Sequence, residues 1–93
     1  MINFNWNEDK NGKLKRERNV SFENVVYAIE HDGLLDTLDN PNEAKYSHQR
    51  VFIVRISDYV YVVPFVENET EIFLKTIIPN RKMTKKYLRK DYL

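Results

Sequence analysis

The chain has no cysteine among its 93 residues, which excludes disulfides, thiolate nucleophiles and sulfur-ligated zinc together. Its two glycines, Gly12 and Gly33, open no phosphate-cradling pattern, so a nucleotide cofactor on a Gly-rich loop is not expected. Histidine is as scarce: His31 and His48 stand seventeen positions apart with no metal-ligand spacing, so neither a metal nor any other cofactor is expected. Ser21, Ser47 and Ser57 sit in no nucleophile elbow. The longest apolar run, Tyr59 to Val66, is interrupted by Pro64 and falls far short of the roughly 20 residues of a membrane-spanning helix. The first residues lack the basic start, apolar centre and small-residue cleavage site of a secretory signal, and the expectation is a cytoplasmic protein without membrane contact.

What is present points to a globule. Hydrophobic residues make up 42% of the chain, aromatics 13% and charged residues 31%, too apolar for disorder, and the length supports one domain over residues 1–93. The formal charge of +1 conceals a division. Residues 1–73 carry 8 basic and 13 acidic side chains, net −5, whereas residues 74–93 carry 7 basic and 1 acidic, net +6. A polyanion meeting this surface therefore meets a strongly basic C-terminal segment.

Secondary structure reads off the periodicities. Ile2, Phe4 and Trp6 alternate with asparagines as in a half-buried strand. Asn7 followed by Glu8 and Asp9 starts a first helix, with Lys13, Lys15, Arg16 and Arg18 toward its C-terminal end. Ser21 caps a second helix whose apolar positions Phe22, Val25, Val26 and Ile29 share one face. Gly33 ends it, and His31 suits its last turn. Residues 34–38 read as a strand, and Asp39-Asn40-Pro41-Asn42 as a turn. Val51–Ile56, Tyr59–Val66 and Glu71–Ile78 then form an antiparallel meander in which Pro64 marks a strand end, a bulge or an edge, and Pro79 a stop. Thr84 caps a tail helix holding Tyr87, Leu88, Tyr92 and Leu93. The expected fold is α+β, with two N-terminal helices and a short C-terminal helix covering one face of a small antiparallel sheet.

The residues with chemistry to offer are basic and aromatic. Lys75, Arg81, Lys82, Lys85, Lys86, Arg89 and Lys90 interleave with Tyr87 and Tyr92, a composition that suits phosphate contact with base stacking and also suits a merely solvated helix face. His48 offers a titrating imidazole and Arg50 a phosphate-binding fork at the entrance to a central strand. The five cations between Lys10 and Arg18 either extend the basic surface or meet an acidic partner.

Taken in order, Phe4-x-Trp6, Lys10-Asn11, Val20-Ser21-Phe22-Glu23, Asp39-Asn40-Pro41, Gln49-Arg50-Val51-Phe52 and Thr76-Ile77-Ile78-Pro79-Asn80-Arg81-Lys82-Met83-Thr84 resemble the BrnT family of bacterial type II toxins over nearly the whole chain. Where members commonly read Arg-Arg-Ala-Thr, this chain has Arg81-Lys82-Met83-Thr84. Where many read Lys-His-Gly before Val-Ser-Phe, it has Glu17-Arg18-Asn19. The resemblance implies a small RelE-like ribonuclease that arrests growth by cutting RNA. It also implies a cognate BrnA-type antitoxin with a ribbon-helix-helix-like DNA-binding domain, the operator DNA being touched only through the complex. Metal-free cleavage by a ribose 2′-hydroxyl needs a proton acceptor, a proton donor and cations around the phosphate. On this reading Arg50 and Arg81, supported by Lys75 and Lys82, contact the phosphate, Tyr87 or His48 moves the proton, and Lys82, Lys85, Lys86, Arg89 and Lys90 hold RNA. The alternative is a catalytically inactive, toxin-derived module that binds nucleic acid or serves with the antitoxin as a corepressor.

Overall fold

The computed structural model describes residues 3–39 and 49–88. In order, the elements are β1 (Asn3–Asn5), α1 (Glu8–Arg18), α2 (Phe22–Glu30), β2 (Leu34–Asp39), β3 (Gln49–Ile56), β4 (Tyr59–Glu67), β5 (Glu71–Leu74), β6 (Ile78–Pro79) and α3 (Arg81–Leu88). The fold is α+β, as the periodicities imply. The turn expected at 39–42 and the tail beyond Leu88 fall largely outside the described residues.

The starts of α1 and α2 are capped as their sequences indicate. The Asn7 side chain accepts from the Lys10 amide at 2.9 Å. Ser21 and Asn24 form a reciprocal box, the Asn24 amide donating to Ser21 Oγ and the Ser21 amide to Asn24 Oδ1. Helix α1 closes on Asn19 in a left-handed conformation. It buries only Asn11 and Leu14, so it depends on tertiary contacts. Those contacts centre on Asn11, whose Oδ1 accepts from the Phe22 amide at 2.8 Å while its Nδ2 donates to Glu23 at 2.7 Å. Gly33 sits where the end of α2 meets β3. A Cβ there would lie 2.8 Å from Ala28 Cβ and 2.9 Å from the Arg55 carbonyl, so the close backbone approach requires glycine.

The strand order is β1-β5-β4-β3-β2, with β6 also pairing β4. Three sequence expectations change here. The sheet is mixed, not wholly antiparallel: β1 runs parallel to β5, with Asn3 opposite Glu71 and Asn5 opposite Phe73. Alternation reveals a half-buried strand but not its direction. The intervening helices and strands supply the long crossover that a parallel pair requires.

The strand expected over 71–78 is two strands. Phe65 pairs with Leu74, whereas Val62 pairs with Ile78, a register shifted by one residue. Between them the Lys75 amide donates to the Pro64 carbonyl at 2.8 Å, and proline has no N–H with which to return the bond. The ladder breaks there, and the chain between β5 and β6 turns Ile77 into the core, fully buried.

The third change concerns the layers. Phe52, Val54, Val63 and Phe65 pack with α1 and α2, whereas Val51, Ile53, Val60 and Val62 pack with Met83, Tyr87 and Leu88 of α3. Neighbouring strand residues face opposite sides, so α3 covers the sheet face opposite the N-terminal helices and the molecule has three layers. The unbroken buried run Val51–Val54 is the sequence signature of a strand covered on both faces.

The cap of α3 differs too. Asn80, not Thr84, starts the helix, its Oδ1 accepting from the Met83 amide at 2.8 Å. Thr84 lies buried inside the helix, donating to the Asn80 carbonyl and accepting from the Val60 amide at 2.9 Å, which locks α3 onto β4.

Candidate nucleic-acid interface

The expected site residues separate into three places. On α3, Arg81, Lys82, Lys85 and Lys86 are exposed, and among the described residues none of them forms an ion pair. Lys86 lies 5.5 Å above the Tyr87 ring, the arrangement of a cation over an aromatic face. Tyr87 leans inward and its hydroxyl donates to Asp36 Oδ2 of β2 at 3.3 Å. Burial, together with the Asp36 carboxylate beside it, holds the Tyr87 phenol above its ordinary pKa. The phenol therefore stays protonated at neutral pH, with its proton directed at Asp36.

Arg50 is elsewhere. It stands at the start of β3 on the α1–α2 side of the sheet, with Nη1 3.1 Å from Glu67 and Nε 3.5 Å from Asp39, and its guanidinium lies 5.9 Å over the Phe65 ring. Two carboxylates compete there with any phosphate, and α3 is on the other face.

Lys75 joins α1. With Asn7, Asp9, Lys10, Lys13 and Phe73 it lines an open groove of about 470 Å³ at the C-terminal end of β5, its Nζ 5.8 Å from the Phe73 ring. Three lysines against one aspartate around an aromatic face make a surface for a backbone phosphate with a base laid beside it. Of the α1 cations, Lys10 and Lys13 join Lys75 in this groove. Phe73 was not among the expected site residues; its signal is its outward place between the inward Ile72 and Leu74. His48, Arg89 and Lys90 lie outside the described residues.

Much of the motif set has structural work. Phe4 and Trp6 pack on the main core, Trp6 stacking on Phe22 with centroids 5.7 Å apart and its indole N–H donating to Glu8. Asn11 and Phe22-Glu23 are the α1–α2 clamp. Within Asn80–Thr84, Asn80 caps, Met83 packs and Thr84 locks. Arg81 and Lys82 alone in that stretch have no structural partner among the described residues.

Among the described residues no cluster of potential metal ligands occurs, and no helix is long and apolar enough to cross a membrane. Together these features define a three-layer α+β domain with two basic surfaces. No family model, curated protein or solved structure matches the chain.

Proposed function

We propose that the protein is a cytoplasmic toxin of the BrnT type, a metal-independent endoribonuclease with a RelE-like fold, neutralised by a BrnA-type antitoxin. The observation that carries this reading is the exposure of Arg81 and Lys82 in a motif whose other members are used by the fold. Folding accounts for Asn80, Met83 and Thr84; it leaves two adjacent cations available to a phosphate. In this mechanism a ribose 2′-hydroxyl attacks the adjacent phosphorus and the 5′-oxygen leaves. Arg81 and Lys82 stabilise the charge that develops on the phosphoryl oxygens. Transfer of the proton from the 2′-hydroxyl to the leaving 5′-oxygen falls to Tyr87 or His48. Lys85, Lys86, Arg89 and Lys90 hold the flanking strand, and the Lys75 groove takes a further nucleotide.

A specific observation favours a second reading. Arg50 is neutralised by Asp39 and Glu67, and Tyr87 is engaged by Asp36, which suits an inactive, toxin-derived module that binds nucleic acid or an antitoxin. Purified protein incubated with total RNA in EDTA separates the two. Fragmentation that disappears in an Arg81→Ala, Lys82→Ala double variant and is blocked by the antitoxin supports the enzyme. Intact RNA at high protein, with salt-sensitive RNA binding retained, supports the second reading.

A further inference from the structure

One recess in the fold belongs to neither basic surface. It has a volume of about 490 Å³ and lies where the end of α2 meets the β3–β4 turn, with Tyr27, His31, Asp32, Arg55 and Ser57 among its lining residues. Its side chains differ from those of a solvated loop in three ways.

First, Tyr27 and His31 stack with ring centroids 3.9 Å apart and planes within 15°. Tyr27 is nonetheless 64% exposed, so the pair forms an aromatic plate open to solvent and not a core contact. Second, the plate is fixed. His31 Nδ1 lies 2.7 Å from the Tyr27 carbonyl, and since a carbonyl only accepts, Nδ1 carries the hydrogen and Nε2 of the neutral ring keeps its lone pair. Third, Arg55 enters the recess with its Nε donating to the Ser57 carbonyl at 3.1 Å, and among the described residues it forms no ion pair. One edge of the guanidinium thus anchors it to the turn while its terminal nitrogens retain unspent donors.

We propose that this recess is a ribonucleotide-binding site. The base stacks on the Tyr27–His31 plate and the phosphate meets the Arg55 guanidinium. The ribose hydroxyls donate to His31 Nε2 and to the Asp32 carboxylate, which also keeps the phosphate on the Arg55 side by repulsion. The ligand chemistry, an aromatic base joined through ribose to a phosphate monoanion or dianion, is shared by a free nucleotide and by one unit of an RNA strand. None of this depends on the ribonuclease reading, because no α3 residue lines the recess.

The test is a titration of the full chain, followed by backbone amide NMR, with adenosine 5′-monophosphate, its 2′-deoxy analogue, a short oligoadenylate and inorganic phosphate. The site predicts saturable shifts confined to residues 27–33 and 55–57, with the ribonucleotide bound more tightly than the deoxy form. Tyr27→Ala and Arg55→Gln should each weaken binding by about tenfold, the usual loss when a base stack or a charge-assisted hydrogen bond is removed. Tyr27→Phe should retain it, and since Tyr27 is exposed its variants report on stacking without threatening the fold. Tighter binding of the oligomer than of the mononucleotide identifies RNA as the source; equal binding identifies a free nucleotide. No saturable shift at these residues, equal shifts from inorganic phosphate alone, or unchanged affinity in both weakening variants would overturn the proposal.

Discussion

The α1–α2 corner and the start of α3 are both short, largely polar stretches, yet the fold treats them differently. At the corner, Asn11, Ser21, Phe22, Glu23 and Asn24 satisfy one another, with Asn11 2% exposed and each side of its amide engaged. At α3, Asn80 and Thr84 are used in the same way, while Arg81 and Lys82 face solvent. Such a polar stretch therefore mixes two kinds of residue, and only the packing tells which ones remain for a ligand.

On the proposed ribonuclease reading, the largest effect falls on α3. Arg81→Ala with Lys82→Ala should reduce RNA cleavage by about 100-fold or more, as loss of charge stabilisation in a transition state does, and relieve growth arrest. Urea unfolding should place the same variant within about 1 kcal/mol of the wild type, since exposed sites away from packing features move stability little. Comparable loss of stability would show that these cations belong with the corner residues.

The corner should behave the opposite way. Asn11→Leu leaves the buried Phe22 amide without its acceptor, and the unfolding free energy should drop by about 3 kcal/mol, the upper end of the cost of a buried donor left unsatisfied. Gly33→Ala comes next, at about 2 kcal/mol, because the added methyl meets backbone and cannot be accommodated by a side-chain rotation.

The pH dependence of stability sharpens the contrast further. The Asn11 amide, then the backbone N–H and the Lys15 charge, hold the Glu23 carboxyl below its ordinary value of 4.5, against the opposing effect of burial. A depressed folded-state pKa means the unfolded chain binds more protons, so this contribution is fully present above about pH 4.5 and is lost as pH falls through the lower folded-state value. Asn11→Leu should flatten that part of the stability profile, whereas the α3 double variant should leave it unchanged.

The smallest effect belongs to Arg50. Its pairs with Asp39 and Glu67 are solvent-accessible, and Arg50→Ala should cost about 0.5 kcal/mol, screened further by salt. RNA cleavage should fall less than in the α3 variant. An equal fall would return Arg50 to the phosphate.

How much was legible in the sequence follows from the range of each interaction. The caps at Asn7 and Ser21, the β3–β4–β5 meander and the disturbance at Pro64 are local, set by side chains within a few residues of the backbone they satisfy. The direction of β1, the side taken by α3 and the partner of Lys75 are not local. Residues 75 and 10 meet because β1 pairs in parallel with β5 across two intervening helices and three strands, and no periodicity encodes that. The buried run Val51–Val54 did hold the information that β3 is covered twice, but an apolar run does not say what covers it.

The sequence alone carries the α+β class, the lack of thiol chemistry and the concentration of positive charge in the last 20 residues. These depend only on composition and short-range pattern. Tertiary structure alone decided that Arg50, Lys75 and Arg81 occupy three separate surfaces, and that Tyr27, His31 and Arg55 share one recess. The physical reason is that the side chains' neighbours are assigned by sheet register and layer, and both are fixed by burial of apolar faces over long separations in the chain.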